Sequence, residues 1–373
     1  MTGLARALLA TLMLGSVSAG AETLRIATYN ADLSRDGPGL LLRDLLSDGD
    51  DQIAAAIAVI AHADPDILLI TKFDYDHGLR ALSQFAKRLR DEGGVSYPHR
   101  FALRPNTGMA TGLDLTGDGR GWTADDAQGY GQFAGQAGMA LLSRHPVMDG
   151  VRDFSDFLWR DLPDALIPTR DGAPFPSAEV FEIQRLSTTG HWDVPIALPD
   201  GRALNLLAFY TSPPVFGGPE DRNLRRNHDE VRFWTLLLDG ALPMAPPDPP
   251  FAVIGDSNLD PHDGDGMHEA MRALLTHPAL QDPAPESAGA LAVAGTREAG
   301  QSGDPAHDTT HWQMTDGPGN LRVDYVLPSR DLEVIDAGVV WPAPQHASRN
   351  GLAQAVETAS RHRLVWVDVA LTD

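Results

Sequence analysis

Cysteine is absent from the 373 residues. That excludes a disulfide framework, a thiolate zinc centre, iron–sulfur ligation and a cysteine nucleophile. Lysine is almost absent, with only Lys72 and Lys87, so nearly all positive charge is arginine. Positive charge of either kind is scarce: 29 Lys and Arg stand against 51 Asp and Glu, a formal net charge of −22. A broad basic face for a long polynucleotide is thereby disfavoured, because Lys and Arg contacts to phosphate supply much of such affinity. No apolar run beyond the first residues approaches membrane-spanning length. With 43% apolar and 21% charged residues, the chain has the composition of a folded globular protein.

The first 21 residues read as an export signal. Arg6 supplies positive charge, Ala7 to Leu14 forms a short apolar core, and Ala19-Gly20-Ala21 matches the small-x-small cleavage rule. Cleavage after Ala21 would start the mature chain at Glu22, and the expected location is periplasmic or secreted. An N-terminal anchor is the alternative; no membrane span is expected in the mature chain. Residues 22–373 show no repeat or compositional break, so one domain is expected there.

Apolar patterning predicts strands at Leu24–Thr28, Ile67–Thr71, Met139–Ser143, Ala203–Tyr210, Phe251–Ile254, Val323–Pro328 and Leu364–Leu371. Helices are predicted at Asp50–His62, His77–Arg90 and Arg225–Leu238. Long loops rich in Gly, Pro and Asp separate them, at Asn106–Gln136, Ser155–His191, Leu242–Pro250 and Asp282–Gly319. Alternating strands and helices of this kind imply a mixed sheet covered by helices.

Polar residues cluster just past several apolar strands, where ligand sites of α/β sheets collect. Asn30 follows LRIAT and can ligate a hard cation or cap a turn. Lys72, Asp74 and Asp76 follow ILLIT; the lysine can hold phosphate as a point charge or pair with its acidic neighbours. Tyr210 ends ALNLLAFY and can donate to a phosphate oxygen. Asp256 and Asn258 follow FAVIG, placing a carboxylate and an amide two residues apart. Asp324 lies in a buried-strand pattern and needs a partner. His362 precedes the last strand and is a candidate acid–base group that such a carboxylate would orient. Asp114, Thr116 and Asp118, with Gly119 at the sixth position, match a calcium-binding loop in part.

In order, these clusters resemble the endonuclease/exonuclease/phosphatase superfamily, the deoxyribonuclease I-like group. The matching segments are Thr28-Tyr29-Asn30, Pro65-Asp66-Ile67-Leu68, Gly138 through Pro146 (GMALLSRHP), Tyr210, Gly255-Asp256-Ser257-Asn258, Asp324-Tyr325-Val326 and Ser360-Arg361-His362. The resemblance implies a four-layer α/β sandwich, with two mixed β-sheets packed face to face and flanked by helices. It further implies an exported metal-dependent hydrolase of phosphomonoesters or phosphodiesters that uses Mg²⁺ or Mn²⁺. Asn30 would hold the metal and Asp256 would orient or deprotonate water. Asn258 and His362 would hold phosphoryl oxygens, Asp324 would orient His362, and Tyr210 would face the leaving group.

Two departures from the family pattern are chemical. Lys72 stands where the family carries a metal-binding Glu, and Arg361 stands where it carries the Asp before the last His. Two like charges ~4 Å apart cost about 4 kcal/mol at an effective dielectric near 20, and a divalent ion about twice that. Three outcomes follow. Asp74 or Asp76 replaces the missing ligand; Lys72 and Arg361 bind phosphate directly; or the protein binds phosphate or Ca²⁺ as an envelope protein without catalysis. A small phosphoester fits the acidic charge better than nucleic acid, a non-specific nuclease remains a further alternative, and no obligate protein partner is evident.

Overall fold

The computed structural model describes residues 22–199, 201–294, 301–312, 317–343 and 351–371. The expected leader, residues 1–21, lies outside them. In chain order the strands are β1 (Glu22–Leu33), β2 (Ile67–Phe73), β3 (His99–Phe101), β4 (Gly138–Ser143), β5 (Arg152–Asp153), β6 (Thr169–Arg170), β7 (Ala173–Pro174), β8 (Gly190–Ala197), β9 (Ala203–Tyr210), β10 (Phe251–Asp256), β11 (Asp324–Pro328), β12 (Glu333–Val339) and β13 (Val365–Leu371). The helices are α1 (Leu40–Leu46), α2 (Asp51–Ala63), α3 (Arg80–Gly93), α4 (Ala178–Phe181), α5 (Arg222–Leu238), α6 (Glu269–Leu275), α7 (Ala288–Val293) and α8 (Leu352–Ala359).

Two mixed sheets result. One has the order β12-β13-β1-β2-β4-β3 and the other β11-β10-β9-β8-β5. Each contains a single parallel pair, β1 with β2 and β9 with β10, among antiparallel neighbours. The sheets face each other, with β1 against β10 and β11. Helices α1, α2, α3 and α8 join the core of the first sheet, and α5 and α6 cover the outer face of the second. This is the expected four-layer sandwich.

Strand periodicity divides the second sheet cleanly. Leu206, Ala208, Ala252, Ile254 and Val326 enter the core shared with the first sheet. Their neighbours Leu207, Phe209, Val253, Tyr325 and Leu327 pack outward with Val231, Trp234 and Met271. Two-residue steps from the inner set lead to Tyr210, Asp256 and Asp324, which therefore share the inner face.

All seven predicted strands and three predicted helices form. The other eleven strands and helices fall in segments left unassigned or read as loop. β8 (GHWDVPIA) carries Asp193 and Pro195 inside a buried strand, and Arg152 neutralises Asp193 across the β5–β8 pair at 2.8 Å. β12, α7 and α8 are short or lack a strong apolar period, and they are held by neighbours such as β13 and α2. Arg226, in the first turns of α5, is buried and donates to the carbonyls of Leu186 and Gln128 at 2.8 and 2.6 Å. Among the described residues no helix is long and apolar enough to cross a membrane.

Candidate active site

The carboxyl ends of both parallel pairs open at one mouth between the sheets. Tyr210 ends β9 and Asp256 ends β10, in register with each other, and Asp256 is in turn the register partner of Asp324 on β11. Gly255 makes this possible. Its φ is 151°, and a Cβ there would lie 1.9 Å from the carbonyl oxygen of Phe209. Behind the mouth, Asn227 of α5 donates to Ser212 O and Ser257 O, both at 2.8 Å, tying together the loops that leave β9 and β10.

His362 is seated between the two carboxylates. Its Nδ1 lies 3.0 Å from Asp324 Oδ2 and 3.8 Å from Asp256 Oδ2. Thr309 Oγ1 donates to Asp324 Oδ2 at 2.9 Å, fixing the carboxylate that orients the ring. Trp312 meets the imidazole edge to face, with centroids 5.3 Å apart. From the first sheet, Asn30 Nδ2 donates to Asp256 Oδ2 at 2.8 Å and sits 3.4 Å from His362 Nε2. The Asn30 side chain also faces the Tyr210 hydroxyl. Ser360 Oγ donates to Asn30 O at 2.7 Å and accepts from His362 N at 3.0 Å, so the histidine loop is stitched to β1.

Burial sets the acid–base character. Asp256 has no exposed surface, and burial followed by the neighbouring Asp324 pushes its carboxyl up to about 6 against the pull of His362 and of the Asn30 hydrogen bond. Burial opposes charge on His362 as well, yet the Asp324 and Asp256 carboxylates together raise its pKa. Burial, Asp256 and Asp32 push the Tyr210 hydroxyl well above its usual value, keeping it a neutral donor. Asn258 donates its backbone N–H to Asp256 Oδ1 and its amide to Thr211 O, each at 2.9 Å, so it braces the aspartate.

The remaining candidates divide. Asp74 accepts from Ser34 Oγ, Arg35 N and Ala137 N at 2.7 to 2.9 Å. Asp76 accepts from Arg80 N and Ala81 N at 2.8 and 2.7 Å, capping α3. Both line a separate cleft of about 420 Å³ with Tyr75, His77 and Arg104. Their oxygens are occupied in local structure, so neither replaces the Glu ligand. In the candidate calcium loop, Asp114 accepts from the N–H groups of Thr116, Gly117 and Gly119, and Asp118 accepts from Arg120 N. Thr116 Oγ1 also donates to Asp114, so this segment is a turn built on its own backbone.

Lys72 is at the mouth, where its Nζ pairs with Asp32 Oδ1 at 2.7 Å. Arg361, exposed in the loop before His362, adds its field to Asp32. Burial favours the neutral acid at Asp32, but Lys72, Arg361 and His362 hold its pKa below the usual carboxylate value. Asp32, Thr309 and Trp312 were missed in the sequence. Asp32 lies two residues past Asn30, where the pairing of β1 with β2 shifts register, so a period of two does not place it. Thr309 and Trp312 sit in a Gly- and Pro-rich stretch with no strand pattern.

A model of the Endonuclease/Exonuclease/phosphatase family matches residues 27–362. The chain belongs to this family. Among solved structures, it is similar to an endonuclease/exonuclease/phosphatase from Beutenbergia cavernae, with 18% identity, a TM-score of 0.52, and coverage of 94% of this chain and 72% of that one. It is also similar to sphingomyelinase C from Streptomyces griseocarneus, with 15% identity, a TM-score of 0.48, and coverage of 94% and 99%. A mannosyl-6-phosphatase from Bacteroides thetaiotaomicron gives 14% identity, a TM-score of 0.47, and coverage of 93% and 100%. The first of these likenesses establishes the fold. No curated protein matches the chain.

The family's divalent ion does not fit the donor set. Among the described residues, only Asp256, Asp324 and His362 bring three ligating atoms within 4.8 Å of one another. Those atoms already serve one another, Asn30 and Thr309. Asn30 turns its NH₂ to Asp256, while its Oδ1 accepts from Asp32 N at 3.2 Å. An ammonium stands where the further carboxylate would be.

Proposed function

We propose that the chain is a phosphoester hydrolase of this family, acting on a small phosphomonoester or phosphodiester after export. The observation that carries the reading is the His362 imidazole clamped between Asp324 and Asp256, with Asn30 against it and Tyr210 in register with Asp256 on the neighbouring strand. Asp256 as carboxylate accepts a proton from the attacking water while the water oxygen bonds to phosphorus. The bond from phosphorus to the leaving oxygen breaks, the Tyr210 hydroxyl donates a hydrogen bond to that oxygen, and solvent returns a proton to it. His362, charged by its two carboxylates, holds a phosphoryl oxygen. The acidic surface favours a small ester over a polynucleotide.

Turnover of bis-p-nitrophenyl phosphate and p-nitrophenyl phosphate, for the purified chain and for His362→Ala, tests this reading. Activity that depends on His362 supports it; no turnover by the wild-type chain on either ester rejects it. The Lys72–Asp32 pair favours a second reading, a phosphate-binding protein without turnover, which that null result would select. The mass of the protein recovered from the periplasm or medium tests export, with a mature start at Glu22 expected.

A further inference from the structure

The misfit of the metal site and the Lys72–Asp32 pair point the same way. β1 and β2 run in register to Asn30 and Thr71 and resume at Leu33 and Phe73. Ala31 and Asp32 therefore oppose Lys72 alone, forming a bulge at the carboxyl end of the parallel pair. Asp32 and Lys72 both take left-handed backbone, with φ of 52° and 57°. For residues other than glycine such strain costs about 1 kcal/mol or more each. Gln52 of α2 holds the bulge by donating to Asp32 O at 2.8 Å and to Ala359 O at 3.1 Å. Strain held in this way at a site mouth re-aims side chains. Here it brings an ammonium and a carboxylate together beside His362, whose imidazolium Lys72 opposes.

The pair is weak enough to open. Both side chains are one-third exposed, and ion pairs of that exposure contribute about 1 kcal/mol or less. A phosphate dianion offers more charge to the ammonium than Asp32 does. A divalent ion cannot share the place, because it would meet the ammonium at a cost of about 8 kcal/mol at ~4 Å.

We propose that the Lys72 ammonium, drawn off Asp32 by the incoming phosphoryl group and assisted by Arg361, replaces the divalent ion, so that phosphoryl recognition in this protein is metal-independent. The proposal rests on the phosphoester reading for its ligand class but not on turnover. Asp32 is then the resting counter-ion, neutralising the lysine until phosphate arrives. Arg361, where the family pattern has an aspartate, completes the exchange of carboxylates for cations.

Calorimetric titration of the full-length mature chain with inorganic phosphate, in EDTA and in millimolar Mg²⁺ or Mn²⁺, tests this. The expected affinity is the same within about twofold in both. Lys72→Gln weakens it roughly tenfold, and Asp32→Asn tightens it roughly threefold by freeing the ammonium. Arg361→Gln, at an exposed position that does not threaten folding, weakens it as well. The Mn²⁺ electron paramagnetic resonance signal stays that of the free ion with wild type, and falls with Lys72→Glu. Phosphate binding that requires added metal, stoichiometric Mn²⁺ uptake by wild type, no phosphate binding at all, or indifference of folded Lys72→Gln overturns the proposal. A chain that binds phosphate in EDTA but hydrolyses no ester retains this proposal and loses the hydrolase reading.

Discussion

Replacing Asp256 by Asn is expected to stabilise the protein at neutral and alkaline pH while abolishing its chemistry. The carboxyl is fully buried and raised from 3.8 to about 6. A group whose folded pKa lies above its unfolded value lends stability below the unfolded pKa and loses it as pH climbs through the folded one. Two pKa units correspond to ~3 kcal/mol, so ionised Asp256 destabilises the fold by about that much above pH 7. Asn removes this titration but sets an NH₂ or a misaligned oxygen against either Asn30 Nδ2 or Asn258 N, which now donate to the two carboxylate oxygens. One such hydrogen bond is worth ~1 kcal/mol. Asp324 still faces the imidazole at 3.0 Å, so His362 keeps its principal partner. The net expectation is Asp256→Asn more stable than wild type by ~2 kcal/mol at pH 8, with the gap closed or reversed near pH 4. Urea unfolding followed by circular dichroism at both pH values measures the difference. A gap that does not change with pH, or a variant less stable at pH 8, would refute the assignment of Asp256 as a strained buried carboxylate.

Other outcomes follow from the same geometry. His362→Ala should lower turnover on bis-p-nitrophenyl phosphate by roughly 10²–10⁴-fold, and an activity unchanged within twofold would remove the imidazole from the chemistry. The rate constant kcat/KM should rise as pH passes about 6, when Asp256 gives up its proton; a profile flat from pH 5 to 7, or one that falls there, speaks against its role as base. Asp74→Asn should leave phosphate affinity intact, because the Asp74 oxygens are taken by Ser34, Arg35 and Ala137; a selective loss of affinity would return Asp74 to the site. Gly255→Ala should lower the melting temperature sharply and reduce turnover together, since its Cβ would collide with Phe209 O and part β9 from β10. A normal melting temperature for that variant would contradict the close approach.

The linear sequence carried more of this protein than its loops suggested. Continuous apolar runs such as ILLIT and FAVI could be satisfied only by strands buried on both faces, and a period of two then dictated that Asp256 and Tyr210 point the same way as Ile254 and Ala208. The order of the polar strand ends was enough to identify the fold, because each end must face one mouth once the sheets stack. Which atoms meet there depended on tertiary structure. Asp74 and Asp76 have the right chemistry for a cation, yet Ala137 and the start of α3 claim their oxygens through backbone contacts invisible in a local pattern. Asp32 became the partner of Lys72 only through a bulge set by pairing across β1 and β2. Hydropathy reports which side of an element is buried, a local property; hydrogen-bond partners and electrostatic fields depend on distances across the chain, and only the folded packing determines those.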